Sequence, residues 1–342
     1  MPLLRTLGKT GIDVFPLGFG GIPIQRIDRT DAVQVIQRAL FLGVNLIDTA
    51  RGYTDSEEKI GLAIKGRQQK VYLATKSTAR TREGIITDVH KSMECLGVKK
   101  IDIYQLHGVN DETTYNQVMS PGGAWEGLKE TQRKGWILHI GITSHRTPVL
   151  INAMKTGKFN TIMPCFNFIE NECEKELLGL AEKMEVGVLA MKPFGGGMIE
   201  DASLTLRYIY RYSQVVPIPG MEKITEVEEN VAVATGSYKM IPSNWKRIKE
   251  IRQQLGAVFC RRCGYCQPCP EEISISAVLN ARSIARRLPI STLKTGWVYE
   301  AYTGGKDCQE CGECEEKCPY HLPIRKLIKE NIKFLDELYA RI

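Results

Sequence analysis

NLIDTARGYTDSEEKIGLAIKGRQQKVYLATK (45–76) holds two short apolar runs, NLIDTA (45–50) and VYLATK (71–76), separated by an amphipathic segment. Runs of this length suit buried strands, and the spacer is long enough for a helix that returns the chain to a parallel neighbour. The alternation continues in both directions. Further strand-like runs are VFPLGFGG (14–21), IDIYQLH (101–107), ILHIGITS (137–144), TIMPCFN (161–167), VGVLAMKPF (186–194) and QVVPIPG (214–220). Amphipathic segments such as RTDAVQVIQRALFLG (29–43) and TREGIITDVHKSMECLG (81–97) follow them. Apolar strands covered on both faces by helices imply a parallel sheet, and eight repeats predict an α/β fold, a (β/α)8 TIM barrel. The opening LRTLGKTGIDV predicts a hairpin, turning between Gly8 and Gly11, that closes the barrel floor. A doubly wound sheet is the alternative; no strand leads into the Gly-x-Gly-x-x-Gly turn that such a fold uses for nucleotides.

The composition is that of a soluble globular protein, with 43% hydrophobic and 25% charged residues in 342. No apolar run is long enough to span a bilayer, so no membrane association is expected. The N-terminal MPLLRTLGKTGIDVF lacks a secretory apolar core, which gives a cytoplasmic expectation. The net charge of +7 is dispersed. Its densest basic stretch, ARSIARRLP (281–289), reads as a solvated helix face, without the aromatic interleaving of a nucleic-acid surface.

In a barrel the chemistry sits at the C-terminal strand ends. Three successive strands end in Asp48, Lys76 and His107, and Tyr53 follows in the loop ARGYTDSE. Singly, each reads as a cap or a packing residue; together they form a constellation. A phenol is a poor acid, with an unperturbed pKa of about 10, but an adjacent ammonium stabilises its phenolate. A carboxylate would hold that ammonium, and a histidine would orient a substrate carbonyl.

These residues, and IDTARGYTDSEEKIG (47–61) above all, resemble the aldo-keto reductases over residues 1 to 242. That family consists of NAD(P)H-dependent barrels with an Asp–Tyr–Lys–His tetrad. The resemblance implies catalytic roles for Asp48, Tyr53, Lys76 and His107. It also implies a cofactor site containing Gly21, Ser144, His145, Met163, Met191, Pro193, Phe194, Gly220, Met221, Glu226, Glu229 and Asn230. The site departs from the family pattern. Ser144-His145 stands for the usual Ser-Asn, Met163 for a carboxamide-binding Gln, and Met191 for a stacking aromatic. Near the adenine end, Gly220, Met221 and Glu226 replace the cations that read a 2′-phosphate. Glu226 favours NADH; Lys223 offsets it, and NADPH stays open.

Eight of the eleven cysteines lie beyond residue 259, in CRRCGYCQPCP (260–270) and CQECGECEEKCP (308–319); Cys95, Cys165 and Cys173 are scattered. Clustered thiols in a reducing compartment more often hold metal than disulfides. The second run has the C-x2-C-x2-C-x3-C-P spacing of a bacterial ferredoxin, whose fourth cysteine serves the other cluster. On that rule one 4Fe–4S cluster takes Cys260, Cys263, Cys266 and Cys318. The other takes Cys308, Cys311, Cys314 and Cys269. Two four-thiolate zinc sites would use the same number of cysteines. Helices are expected over SNWKRIKEIRQQL (243–255), ISISAVLNARSIARRL (273–288), ISTLKTGWVYEAY (290–302) and IRKLIKENIKFLDELY (324–339), giving a small helical ferredoxin-like domain over 243–342. With it, the whole chain is similar to an iron–sulfur branch of the aldo-keto reductases.

Hydride moves two electrons and a cluster moves one. Three functions follow: carbonyl reduction or alcohol oxidation with NAD(P)H; a reductase whose clusters feed the barrel from a ferredoxin-like protein; or a non-catalytic electron-transfer or redox-sensing module. A flavin would bridge the two electron counts, and no local flavin motif is present.

Overall fold

A computed structural model describes residues 4–68 and 70–341. The chain forms two compact units, one of residues 1–195 with 199–239 and the other of 196–198 with 240–342.

The first unit opens with a hairpin of β1 (Arg5–Thr6) and β2 (Asp13–Val14), paired antiparallel. Gly8 and Gly11 take left-handed φ values of 51° and 68° in its turn. Leu7, Ile12 and Val14 from this hairpin pack with Leu46, Ile103, Leu189 and Val216 in the barrel interior, so the hairpin stoppers the floor.

The strands that follow are β3 (Phe19–Gly20), β4 (Leu46–Asp48), β5 (Tyr72–Ser77), β6 (Ile101–Leu106), β7 (Ile137–Ser144), β8 (Thr161–Pro164), β9 (Gly187–Met191) and β10 (Val215–Ile218). They pair in chain order, all in parallel. The ring closes where Gly18 N–H donates to Pro217 O (3.0 Å) and Gly20 N–H to Pro219 O (2.8 Å). The expected first strand, 14–21, is divided: Val14 joins the floor hairpin and only Phe19–Gly20 enters the barrel. Pro16 has no N–H to give to a ladder, which accounts for the break.

In the second unit, helices span Pro242–Gly256 and Ile324–Ala340. The expected 273–288 helix is two short ones, Ile275–Leu279 and Ala281–Ala285, hinged at Asn280. The expected 290–302 helix is interrupted likewise, into Ile290–Leu293 and Gly296–Gly305, with Gly296 at a φ of 57°. No helix among the described residues is long and apolar enough to cross a membrane.

Closure demands a bare backbone on β3. A Cβ on Gly20 would lie 2.8 Å from the Pro219 carbonyl oxygen, whereas one on Gly52 meets nothing within 4 Å. Gly20→Ala is therefore expected to lose about 1–3 kcal/mol in denaturant unfolding, as overpacked sites do. Gly52→Ala should stay near the parent, and equal midpoints for the two variants would contradict this account of the seam.

Candidate active site and thiol loops

Asp48 and Lys76 end neighbouring strands and meet in the barrel mouth. Lys76 Nζ donates to Asp48 Oδ1 at 2.5 Å and to Thr49 O at 2.7 Å, and both side chains are almost wholly buried. The other carboxylate oxygen accepts from Gln105 Nε2 at 3.0 Å. Burial is the largest influence on the Lys76 ammonium and works against it, but Asp48 and Tyr53, by charge and hydrogen bond together, outweigh it and raise the pKa. The ammonium lies 5.1 Å from the Tyr53 ring centre. The Tyr53 and His107 rings are 6.0 Å apart, edge to face. The structure thus brings together all four residues singled out from the strand ends.

The loop carrying Tyr53 is held by its own sequence. Ser56 Oγ bonds Thr49 Oγ1 (2.8 Å) and donates to Gly21 O (2.8 Å). Buried Glu57 pairs with Arg51 and accepts from Thr75 Oγ1 at 2.7 Å. Lys59 Nζ donates to Ile24 O and Ile27 O at 2.9 and 2.8 Å. Nearly every polar residue of TARGYTDSEEK is engaged, which fixes the phenol.

His107 Nδ1 is buried with no partner among the described residues. Burial, then the charges of Lys76, Arg80 and Lys192, lower its pKa to about 3. Its imidazole is therefore neutral across the physiological range and able to donate without carrying charge.

The residues expected around a nicotinamide cofactor are more scattered in role. Ser144 Oγ donates to Asn110 Oδ1 (3.3 Å), and His145 N–H donates to the same oxygen (2.7 Å). His145 Nε2 lies 2.9 Å from Lys192 Nζ. Met163 is buried in the barrel interior, with Met191 packed beside it. Pro193 is buried and Phe194 half-buried in the following loop. Gly21 N–H donates to Asp48 O at 2.7 Å. Gly220 is exposed, Met221 fully buried and Glu229 exposed. Glu226 Oε2 accepts from the N–H groups of Glu222 (2.9 Å) and Lys223 (3.3 Å), capping the helix Ile224–Thr235. Its carboxylate is thereby engaged in structure, which weakens its use as a ribose reader. Asn230 is buried with Oδ1 unpartnered among the described residues, an orphaned acceptor that fits a ligand at this end. The signals missed in sequence are Gln105, Arg80, Asn110, Asn167 and Lys192. Of these, Gln105, Asn167 and Lys192 carry a signal, each being a polar side chain inside or at the end of an apolar run.

In the second unit the eight thiols share one region. Cys269, Cys308, Cys311 and Cys314 line one small hollow, together with Cys266. Cys260, Cys266 and Cys318 are buried in the adjoining core, and Cys263 is half-buried. Burial, then the neighbouring Cys260 and Cys263, push the Cys266 thiol up to about 11. No three His, Cys, Asp or Glu side chains among the described residues close on a single ion.

The two thiol loops share three left-handed positions. Arg262 and Glu310, each just before the second cysteine, have φ of 56° and 57°; Gly264 and Gly312, just after it, have 77° and 88°. Glu272 and His321, three residues past each fourth cysteine, have 53° and 51°. Left-handed residues in such turns direct successive N–H groups to one side, forming nests that suit anionic groups. The cradle fits iron–sulfur clusters, and His321 is a turn residue.

The model of the aldo/keto reductase family matches residues 16–205, and that of a 4Fe-4S dicluster domain matches 259–323. The chain belongs to the aldo/keto reductase family, an oxidoreductase family, and carries a C-terminal 4Fe-4S dicluster domain. Among curated relatives, the uncharacterized oxidoreductase YqkF of Bacillus subtilis is 29% identical over 214 residues, 58% of this chain and 67% of that protein. The aldo-keto reductase AKR11C1 of Bacillus halodurans, in its holo form, superposes with a TM-score of 0.63 at 24% identity, covering 73% of this chain and 96% of that one. An aldo-keto reductase from Klebsiella pneumoniae solved in complex with NADPH gives 0.61 at 18% identity, covering 73% and 95%. The chain spans about two thirds of the length of the curated relatives it matches first.

At His107 the folded protein binds fewer protons than the unfolded chain between about pH 6.5 and pH 3, so its contribution to stability is complete above that window and falls with pH inside it. In histidine-labelled protein at pH 5, NMR is expected to show His107 as neutral imidazole, the resonance being assigned by its loss in His107→Gln. A midpoint near 6.5 would contradict the sealed environment.

Proposed function

We propose that the barrel reduces a carbonyl compound, or oxidises the corresponding alcohol, and that Asp48, Tyr53, Lys76 and His107 carry the proton chemistry. On this reading residues 1–242 form the catalytic domain, and 243–342 bind two 4Fe–4S clusters. The carrying observation is the buried Asp48–Lys76 pair beside the Tyr53 ring. Nicotinamide, when bound, supplies hydride to the carbonyl carbon. Neutral His107 orients the carbonyl oxygen by donating a hydrogen bond. Tyr53 Oη gives its proton to that oxygen as negative charge develops, and the Lys76 ammonium stabilises the phenolate left behind. Asp48 and Gln105 keep the ammonium in place. The residues offered as a nicotinamide site are Ser144, His145, Met191, Gly220 and Asn230; the NADPH complex of the Klebsiella pneumoniae protein supports a cofactor of this class.

Met163 and Met191 provide no amide for a carboxamide. That observation favours a second reading, in which the clusters deliver electrons from a ferredoxin-like partner.

Tyr53→Phe is expected to lower turnover of aldehydes on the order of 10²–10⁴-fold with bound iron unchanged; undiminished steady-state turnover would refute the acid role. Protein purified without oxygen should hold about eight iron atoms per chain, as two four-iron clusters require. Cluster absorbance that persists with NADH and NADPH but bleaches with dithionite would favour the partner-fed reading, whereas bleaching by either nucleotide would couple barrel and clusters.

A further inference from the structure

The loops around His107 hold more positive charge than the proton chemistry uses. Lys76 is committed to Asp48. Arg80, in the loop after β5, and Lys192, directly after β9, are not part of that pair, yet the charges of all three bear on the His107 imidazole.

Arg80 Nη2 donates to the carbonyl of Gly108, the residue next to His107, at 3.2 Å. Its Nη1 is buried and lacks a partner among the described residues. Asp111 contributes some opposing charge, but its two oxygens already accept from Thr114 N (2.7 Å) and Thr114 Oγ1 (2.9 Å). A buried guanidinium N–H with no acceptor is costly, and an anion brought by a ligand would satisfy it.

Lys192 is held in an unusual conformation. Its φ is 53°, left-handed for a side chain that gains nothing locally from it. Its carbonyl accepts from Asn167 Nδ2 at 3.0 Å and from Gly195 N–H at 2.9 Å. Asn167 is fully buried and its Oδ1 accepts the N–H groups of Ile169 and Glu170, both at 2.8 Å. Strain of this kind persists where the surroundings over-determine it, and it clusters at ligand clamps. The result places Nζ 2.9 Å from His145 Nε2, and His145 is tied by its N–H to Asn110. Hydrogen bonds thus join Arg80 to Gly108, Asn110 two residues further on to His145, and His145 to Lys192, across loops that follow four strands.

We propose that Arg80 and Lys192 make this site selective for carbonyl compounds bearing a carboxylate, with Arg80 Nη1 as the principal donor. The inference rests on the carbonyl-reduction reading above. A guanidinium edge matches two carboxylate oxygens, and an ammonium adds a point charge beside it. The same donors would take the diphosphate of a nucleotide cofactor, so the test separates the two sources.

Initial rates would be compared for 4-carboxybenzaldehyde against benzaldehyde, and for succinic semialdehyde against butanal. The expected kcat/KM preference for the anionic member is at least about tenfold, collapsing in Arg80→Met, partly kept in Arg80→Lys and reduced in Lys192→Met. No preference in the parent, or an unchanged one in Arg80→Met, overturns the proposal. So does a raised KM for NADH or NADPH with substrate preference intact, which would assign the anion to the cofactor. Calorimetric binding of benzoate against its neutral isostere benzamide reads the site without turnover. Benzoate should bind more tightly, with the difference lost in Arg80→Met; equal binding to the parent overturns the proposal. Benzoate discrimination in a protein that reduces none of the four aldehydes would support the anion site and count against carbonyl reduction. Cluster absorbance and circular dichroism check that each variant is folded.

Discussion

A buried ammonium and a buried carboxylate, Lys76 and Asp48, set the terms for the barrel mouth. Either one alone would be an uncompensated charge in an apolar interior, at a cost of about 3–5 kcal/mol. Together they are tolerable because β4 and β5 are adjacent and in parallel register, Asp48 opposite Ala74, which lets Lys76 reach across at the strand ends. Gln105 on β6 satisfies the remaining carboxylate oxygen, so three consecutive strands are committed to one ion pair. The Tyr53 loop then packs over a fixed charge. Ser56, Glu57 and Lys59 in that loop are buried and bonded to hydroxyls, a guanidinium and backbone carbonyls, which anchors the loop beside the pair.

The barrel was legible because each βα unit repeats one pattern, and repetition survives local errors. The strand run at 14–21 shows the limit: VFPLGF is apolar throughout, so nothing in its pattern marks where floor hairpin ends and barrel strand begins. Proline, lacking an N–H, was the available sign. The tetrad was legible for a related reason, since Asp48, Lys76 and His107 end apolar runs. Arg80 and Asn110 were not, because each lies in a loop and gains its meaning from contacts distant in sequence; Asn167 and Lys192 sit inside apolar runs, and only the bond from Asn167 Nδ2 to the Lys192 carbonyl shows that they belong together. Glu226 has a structural use beside the expected one. A carboxylate in the expected cofactor segment suggested ribose recognition, yet three residues into its helix it is equally placed to cap that helix, and it does so.

In the second unit the cysteine spacing indicated the chemistry, but the backbone adds what spacing cannot. The matching left-handed residues at 262 and 310, 264 and 312, and 272 and 321 show that two stretches with different side chains turn alike at three places. The second carries one extra residue before its last cysteine, and the path absorbs it in the short helix Glu313–Glu316. The helical expectations failed at Asn280 and Gly296, where short helices must turn to cover the thiols.

The glycine seam between β3 and β10 has one more consequence. Since the first and last strands of the ring are neighbours, the order of strands around it has no privileged starting point. A chain whose barrel began in another βα loop, with β10 joined to β3, would lay down the same ring in a different order of synthesis. The bare backbone at Gly18 and Gly20 would then be an ordinary contact between consecutive strands. Circular permutation of this kind is tolerated where the joined points adjoin, so the seam imposes no order on the ring itself.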